Sequence, residues 1–295
     1  MAISVEEIVT GRKTFFITPY LSLIPESFLE DYFVNGYECY FVENDKKIPL
    51  EMKLDIIVSL FKDVILFFNI DFESEEHDWP NIIRRLIRKY NNSARIGVMY
   101  LKRQSKDFRA ELEKLYLYEM GLNCGCIQLE YQKKRNYEII ETILEANQAQ
   151  GRRVNIRTVC PPTCTFTFTY KDHTYNGPLQ DISLSHFSLL LPLDALDIHI
   201  SKKIEDVRIS LKGVIIKTNA MLMAQREVNG QILYVFTFIT SEGGCGLEPR
   251  VKQTVTPHLY KLMASNTENL LNQLYERTRA KLMRESERRS ENYTY

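Results

Sequence analysis

Three absences narrow the reading of this 295-residue chain before any motif is weighed. It has no excess of charge, since 38 Lys and Arg are matched by 38 Asp and Glu. Nucleic acid and anionic membrane surfaces select a basic excess, so neither a DNA partner nor membrane-surface binding is expected. It also lacks a long apolar run. The best one, Ile56–Phe68, is interrupted by Lys62 and Asp63, and the opening MAISVEEIVTGRK has no apolar core behind a basic start. No signal peptide and no membrane insertion are therefore expected. Catalytic signatures are missing as well. Histidines at 77, 173, 186, 199 and 258 form no HExxH pattern, and neither GxSxG nor a P-loop occurs, so the chain is not read as an enzyme.

The six cysteines, at 39, 124, 126, 160, 164 and 245, read as buried thiols in a reducing cytoplasm. Cys124-Gly-Cys126 and Cys160-Pro-Pro-Thr-Cys164 have half-site spacing, but the first lies in an apolar strand and no histidine pair stands at ligand distance in sequence. No metal and no cofactor are expected.

What is present falls into two halves with different periodicity. From Arg12 to Gln150, short apolar runs at 13–18, 37–43, 63–70, 94–101 and 125–131 alternate with amphipathic segments. The run 63–70 is apolar without alternation, as befits a strand covered on both faces. Ile82, Ile83, Leu86 and Ile87 mark the core stripe of one helix, and Ile139, Ile140, Ile143 and Leu144 that of another. Asp107 suits the start of the helix before the last strand and Gly121 its end. The pattern predicts a flavodoxin-like, doubly wound parallel sheet over residues 1–149.

This architecture resembles a response-regulator receiver, but the residues such a domain needs are not matched. After the first strand stands Thr18-Pro19-Tyr20 rather than an acidic pair for Mg²⁺. Asn69 falls at the phosphoacceptor position with Asp71 two residues on. The fourth strand ends Tyr100-Leu101-Lys102 without a hydroxyl residue, and Lys133 is displaced past the fifth. The domain is read as a receiver-shaped scaffold without a phosphorylation site.

Beyond Gly151, which suits a left-handed helix cap and serves as the joint, the period becomes two. Cys164, Phe166, Phe168 and Tyr170 alternate with Thr165, Thr167 and Thr169, and Asn229-Gly230 between two strand-like runs is a hairpin signal. About six or seven strands over 150–250 predict a small antiparallel barrel, making the whole chain α/β plus all-β.

The stretch from Gln150 to Pro192 concentrates the chemistry. Arg152, Arg153 and Arg157 precede its first strand, and Asp181 and Ser183 end another. Guanidiniums fork onto phosphates or the O6/N7 edge of guanine, while a carboxylate accepts from ring N–H groups, so the set suits a ligand carrying both. Arg153-x-x-x-Arg157 followed by Asp181-x-Ser183-x-x-His186 resembles the PilZ domain family of cyclic di-GMP receptors, whose motifs read RxxxR and (D/N)xSxxG. His186 stands where that family has glycine.

The resemblance implies cyclic di-GMP as ligand. Arg153 and Arg157 would meet phosphates and guanine edges, with Arg152 as a third fork or a stack. Asp181 would accept from guanine N–H groups, and Ser183 would bond a phosphate or shape the strand end. A cytoplasmic effector in second-messenger signalling, such as motility regulation, would follow. Ligand binding at the Gly151 joint would change the domain arrangement and contacts with an unidentified protein partner. The alternative is an adaptor that works by protein contacts without nucleotide.

Residues 251–295 read as a helix with Leu259, Leu262, Met263, Leu270, Leu271 and Leu274 on one stripe, ending in a charged, fraying tail. Packing on the barrel is the favoured use of that stripe, and homodimer formation is the other.

Overall fold

A computed structural model describes residues 5–44, 48–61, 63–90, 93–101, 105–151 and 153–291. The chain divides into two compact units. One is built mainly on Arg153–Asn266; the other comprises Val9–Tyr32, Tyr37–Arg152 and Thr267–Tyr295.

In the second unit, β1 (Thr14–Ile17), β2 (Cys39–Val42), β3 (Ile65–Asn69), β4 (Arg95–Leu101) and β5 (Cys126–Leu129) form a parallel sheet in the order β2-β1-β3-β4-β5. This is the doubly wound order that the alternating sequence predicts. Every residue of β1 and of β3 is buried, which explains why neither strand alternates. The helices between the strands are α2 (Glu26–Val34), α3 (Leu50–Leu60), α4 (Trp79–Lys89), α5 (Lys106–Glu113) and α6 (Lys133–Ala146); a short α1 (Val5–Val9) precedes β1 and groups up to Ile8 with the other unit. Tyr32 of α2 stacks on Tyr137 of α6 at 4.6 Å between ring centroids. On α4, Arg85 and Lys89 converge on Asp55 of α3 at 3.0 and 2.9 Å.

Two helix ends differ from the sequence reading. Ser105, not Asp107, caps α5, its hydroxyl accepting from the Phe108 N–H at 3.3 Å. Asp107 then sits in the first turn, where its charge complements the helix dipole. After α5 the chain widens into one π-helical stretch, Lys114–Glu119, before Gly121 turns it at φ +68°. Likewise α6 stops at Ala146, and Gln148 rather than Gly151 takes the positive φ, at 51°. The reason is tertiary. Arg95 donates to the Asn147 carbonyl at 2.9 Å, and Arg12 bonds the same oxygen and that of Gln148. Two guanidiniums thus satisfy the carbonyls just past the helix and favour its negative end.

From Arg153 the other unit is built of β-strands, followed by the part of the last helix up to Asn266. Its strands are β6 (Thr158–Val159), β7 (Thr165–Tyr170), β8 (His173–Ile182), β9 (His186–Pro192), β10 (Lys203–Leu211), β11 (Val214–Val228) and β12 (Gln231–Ile239). They run in the order β6-β8-β7-β10-β11-β12-β9, and β8 pairs again with β9, closing an antiparallel barrel of six strands with β6 appended. On β7, Phe166 and Phe168 are buried between half-exposed Thr165 and Thr167 and exposed Thr169. Asn229 and Gly230 both take positive φ, 52° and 75°, between paired Val228 and Gln231. A two-residue primed turn requires this and matches strand twist.

The chain ends in α7 (Pro249–Glu291), which buries Leu259, Leu262, Met263, Leu270 and Leu271. The segment expected to fray remains helical through Glu291, consistent with its Glu, Arg, Lys and Leu content.

A single glycine tests the packing of the parallel sheet. A Cβ on Gly97 of β4 would lie 2.8 Å from the Cys124 carbonyl oxygen and 2.9 Å from Phe67 Cδ1. The carbonyl belongs to backbone beside β5 and cannot yield cheaply. Gly97→Ala should lower unfolding free energy by about 3 kcal/mol, the upper range for overpacking. Urea unfolding followed by circular dichroism measures it.

Candidate functional site

The two sequence motifs meet where β8 ends. β6 lies along β8 with Thr158 opposite Ile182 and Val159 opposite Asp181, so Arg157 arrives beside the β8 terminus. On the other edge, β9 pairs Ser188 with Asp181 and Phe187 with Ile182. Asp181 is therefore flanked by a strand on each side. Its Oδ1 is buried and has no hydrogen-bond partner among the described residues. Leaving a buried acceptor unpaired costs about 1–3 kcal/mol, more for a charged group.

Arg157 is half-buried, and Arg153 is exposed. Arg152 lies outside the described residues. The far edge of β6 is held by Asn266 of α7, whose Nδ2 donates to the Val159 carbonyl at 2.8 Å.

Ser183 is almost fully buried and its hydroxyl organises the turn between β8 and β9. It accepts from the His186 N–H at 3.0 Å and the Ser185 N–H at 3.3 Å, and donates to the His186 carbonyl at 3.2 Å. The Ser183 N–H donates to that same carbonyl at 2.8 Å. A hydroxyl so engaged fixes the strand end, as serine commonly does in turns.

His186 opens β9 opposite Thr237. It is not among the described residues with positive φ, so the absent glycine leaves no backbone strain here. Its Nδ1 lies 2.7 Å from the Ser185 hydroxyl. The ring also feels both Arg157 and Asp181. The structure thus gathers Arg157, Asp181, Ser183 and His186 at one strand end. Sequence reasoning did not single out Ser185 or Asn266. No motif marks Asn266, 107 residues from its partner.

The position matching a receiver's active site is built differently. Asn69 is buried, and its Nδ2 donates to the Thr18 carbonyl at 2.8 Å. Asp71 Oδ2 accepts from the Leu101 N–H at 2.7 Å and faces the Tyr20 hydroxyl at 3.4 Å. Burial raises the Asp71 carboxyl, against those two hydrogen bonds. Burial, with Asp71 beside it, pushes the Tyr20 phenol up to about 12. The carboxylate ties β4 to the strand ends, and among the described residues no group of three or more acidic, His or Cys side chains is placed to hold a metal ion. Lys102 lies outside the described residues.

The His186 imidazole is held below its ordinary value by burial first and by the Arg157 charge second, with Asp181 opposing. The folded protein therefore prefers neutral His186. As pH falls through about 6.5, the unfolded chain takes the proton first, and stability is lost until the lower folded value is passed. Unfolding midpoints measured between pH 7.5 and 5 should decline in the wild type, and His186→Gln should remove that part of the slope.

No protein-family model matches the chain, and no curated protein matches it. Among solved structures, the C-terminal region is similar to PilZ-domain proteins. YcgR from Escherichia coli in complex with c-di-GMP is 18% identical, with 41% of this chain and 50% of that chain covered and a TM-score of 0.35. The PilZ domain of the same protein with c-di-GMP is 19% identical, with 40% of this chain and 97% of that chain covered, at 0.33. MrkH of K. pneumonia with c-di-GMP is 12% identical, covering 40% of this chain and 54% of that one, at 0.35. This chain spans half the length of the first of these.

Proposed function

We propose that the barrel is a cyclic di-GMP receptor whose ligand seats at the junction of β6, β8 and β9. One observation carries the reading: a buried carboxylate oxygen of Asp181 has no hydrogen-bond partner among the described residues, with the Arg157 guanidinium near enough to share its field at His186. A guanine presents N–H donors for such an oxygen and O6/N7 acceptors for a guanidinium, and its phosphates would engage Arg153 and Arg157. Arg152 is assigned to the same set by its place in the motif. Ser183 acts in this reading through the turn it holds, and His186 lines the site.

Micromolar binding requires about 8 kcal/mol. A few charge-assisted bonds at about 1.5–3 kcal/mol each supply that magnitude. Ordering the backbone at 150–157 costs about 1–2 kcal/mol per residue, which those bonds offset only while ligand is present. Binding would thereby change the freedom of the joint at Gly151 and the surface offered to a partner protein. The proposal places the protein in the cytoplasm as a non-enzymatic effector, with motility as one output. It treats the parallel-sheet unit as a scaffold without phosphoacceptor. Among the described residues, no helix is long and apolar enough to cross a membrane.

A second reading, an adaptor that binds no nucleotide, is favoured by the imidazole of His186 at the family's glycine position. Calorimetry separates the two. The receptor reading expects micromolar or tighter binding of cyclic di-GMP, at least tenfold weaker in Arg153→Ala and in Arg157→Ala. Asp181→Ala should mainly reduce preference over other cyclic dinucleotides. Absence of heat and of competition with wild-type protein would overturn it in favour of the adaptor.

For the scaffold reading, incubation with acetyl phosphate and Mg²⁺ should leave the intact mass unchanged. A stoichiometric phosphate adduct that disappears in Asp71→Asn would overturn it.

A further inference from the structure

Between β6 and β7 the chain does something the barrel does not require. Both strands lie on the same edge of β8, one continuing the other. The Cys160 N–H donates to the Gln180 carbonyl at 3.0 Å, and the Cys164 carbonyl accepts from the Leu179 N–H at 2.9 Å. The two cysteines therefore face consecutive residues of β8, while Pro161, Pro162 and Thr163 are looped out of the ladder. A bond from the Cys164 N–H to the Pro161 carbonyl, 2.9 Å, closes that loop. Its tip, Pro162 and Thr163, is exposed.

The consequence is that two cysteines stand side by side on one edge of β8. Both are free, Cys164 is fully buried and Cys160 nearly so, and the Cys160 thiol donates to the Thr158 carbonyl at 3.8 Å. The neighbouring Cys160 thiol, aided by the N–H and charge of Lys212 in the β10–β11 turn and opposed by burial, brings the Cys164 thiol down to about 7, while the Cys160 thiol is pushed up. Burial instead pushes Cys124 and Cys126 up to about 12. A thiolate is the reactive form.

We propose that Cys160 and Cys164 are a redox modification site that closes into a disulfide across the Pro161–Thr163 loop on reaction with hydrogen peroxide. The Cys164 sulfur attacks one peroxide oxygen, the O–O bond breaks, and the departing hydroxide leaves as water with the thiol proton. The sulfenic acid so formed is attacked by the Cys160 sulfur, the S–O bond breaks, and a second water leaves. Two thiols are oxidised and one peroxide becomes two waters. Peroxide is small and uncharged, as access to a buried pair demands. The pair lies one ladder position from Asp181, so closure fixes the segment that carries Arg157. The oxidation itself does not depend on the ligand reading.

The test uses full-length reduced protein with reductant removed. It is treated with hydrogen peroxide, then denatured and alkylated with N-ethylmaleimide so that buried thiols also report, and mapped by peptide mass. Exposed Cys245 confirms that oxidant has acted. The expected result is loss of both alkylations at Cys160 and Cys164 together, with a peptide lighter by two hydrogens that dithiothreitol restores. The rate should be at least tenfold faster than oxidation of Cys124 or Cys126. In C164S, Cys160 should stay alkylated. If C164S does not fold, C160S serves, with Cys164 expected to stop at the sulfenic acid or beyond. Full alkylation at 160 and 164 after Cys245 is consumed would overturn the proposal, as would linkage of either residue to a different cysteine.

Discussion

Barrel closure through β8 is the constraint on which the candidate site depends. A six-stranded barrel must join its ends, and here β8 does so by pairing with β7 along its first half and with β9 along its second. The second half leaves one β8 edge open beyond the end of β7, and β6 fills it. Asp181 is thus enclosed between two neighbours because of topology, not because of its own polarity. One oxygen of the half-buried carboxylate, Oδ1, is thereby cut off from water without a hydrogen-bond partner among the described residues.

The serine of the second motif follows from the same closure. β8 must reverse at once into β9, and Ser183 supplies the bonds that make so tight a reversal possible. Its fixed spacing from Asp181 is then a matter of turn geometry. His186 begins the return strand with ordinary backbone, so what the glycine's replacement changes is space and charge beside Arg157, with no cost in φ.

Much of this was legible beforehand because the signals were local. A short apolar run such as 64–68 reads as a strand covered on both faces, and Asn229-Gly230 prescribes its turn within four residues. The ends of α5 and α6 were misread for the opposite reason. Ser105 and Asp107 are both good caps, and the choice between them depends on where the first turn docks. The stop at Ala146 is set by Arg12 and Arg95, separated from Asn147 by 135 and 52 residues. The pairing of Asp181 with Val159 and Ser188 was likewise hidden, since register across a closed barrel is not a property of either segment alone.

The looped-out Pro161–Thr163 has an evolutionary corollary. In an uninterrupted strand, inserting or deleting one residue before the ladder would flip every side chain of β7 and turn Phe166 and Phe168 outward. Here three residues of slack separate Arg157 and β6 from the aromatic face of the barrel. Length changes on the arginine side can be absorbed in the loop, so the position of Arg157 can drift and be selected independently of the core that folds the domain.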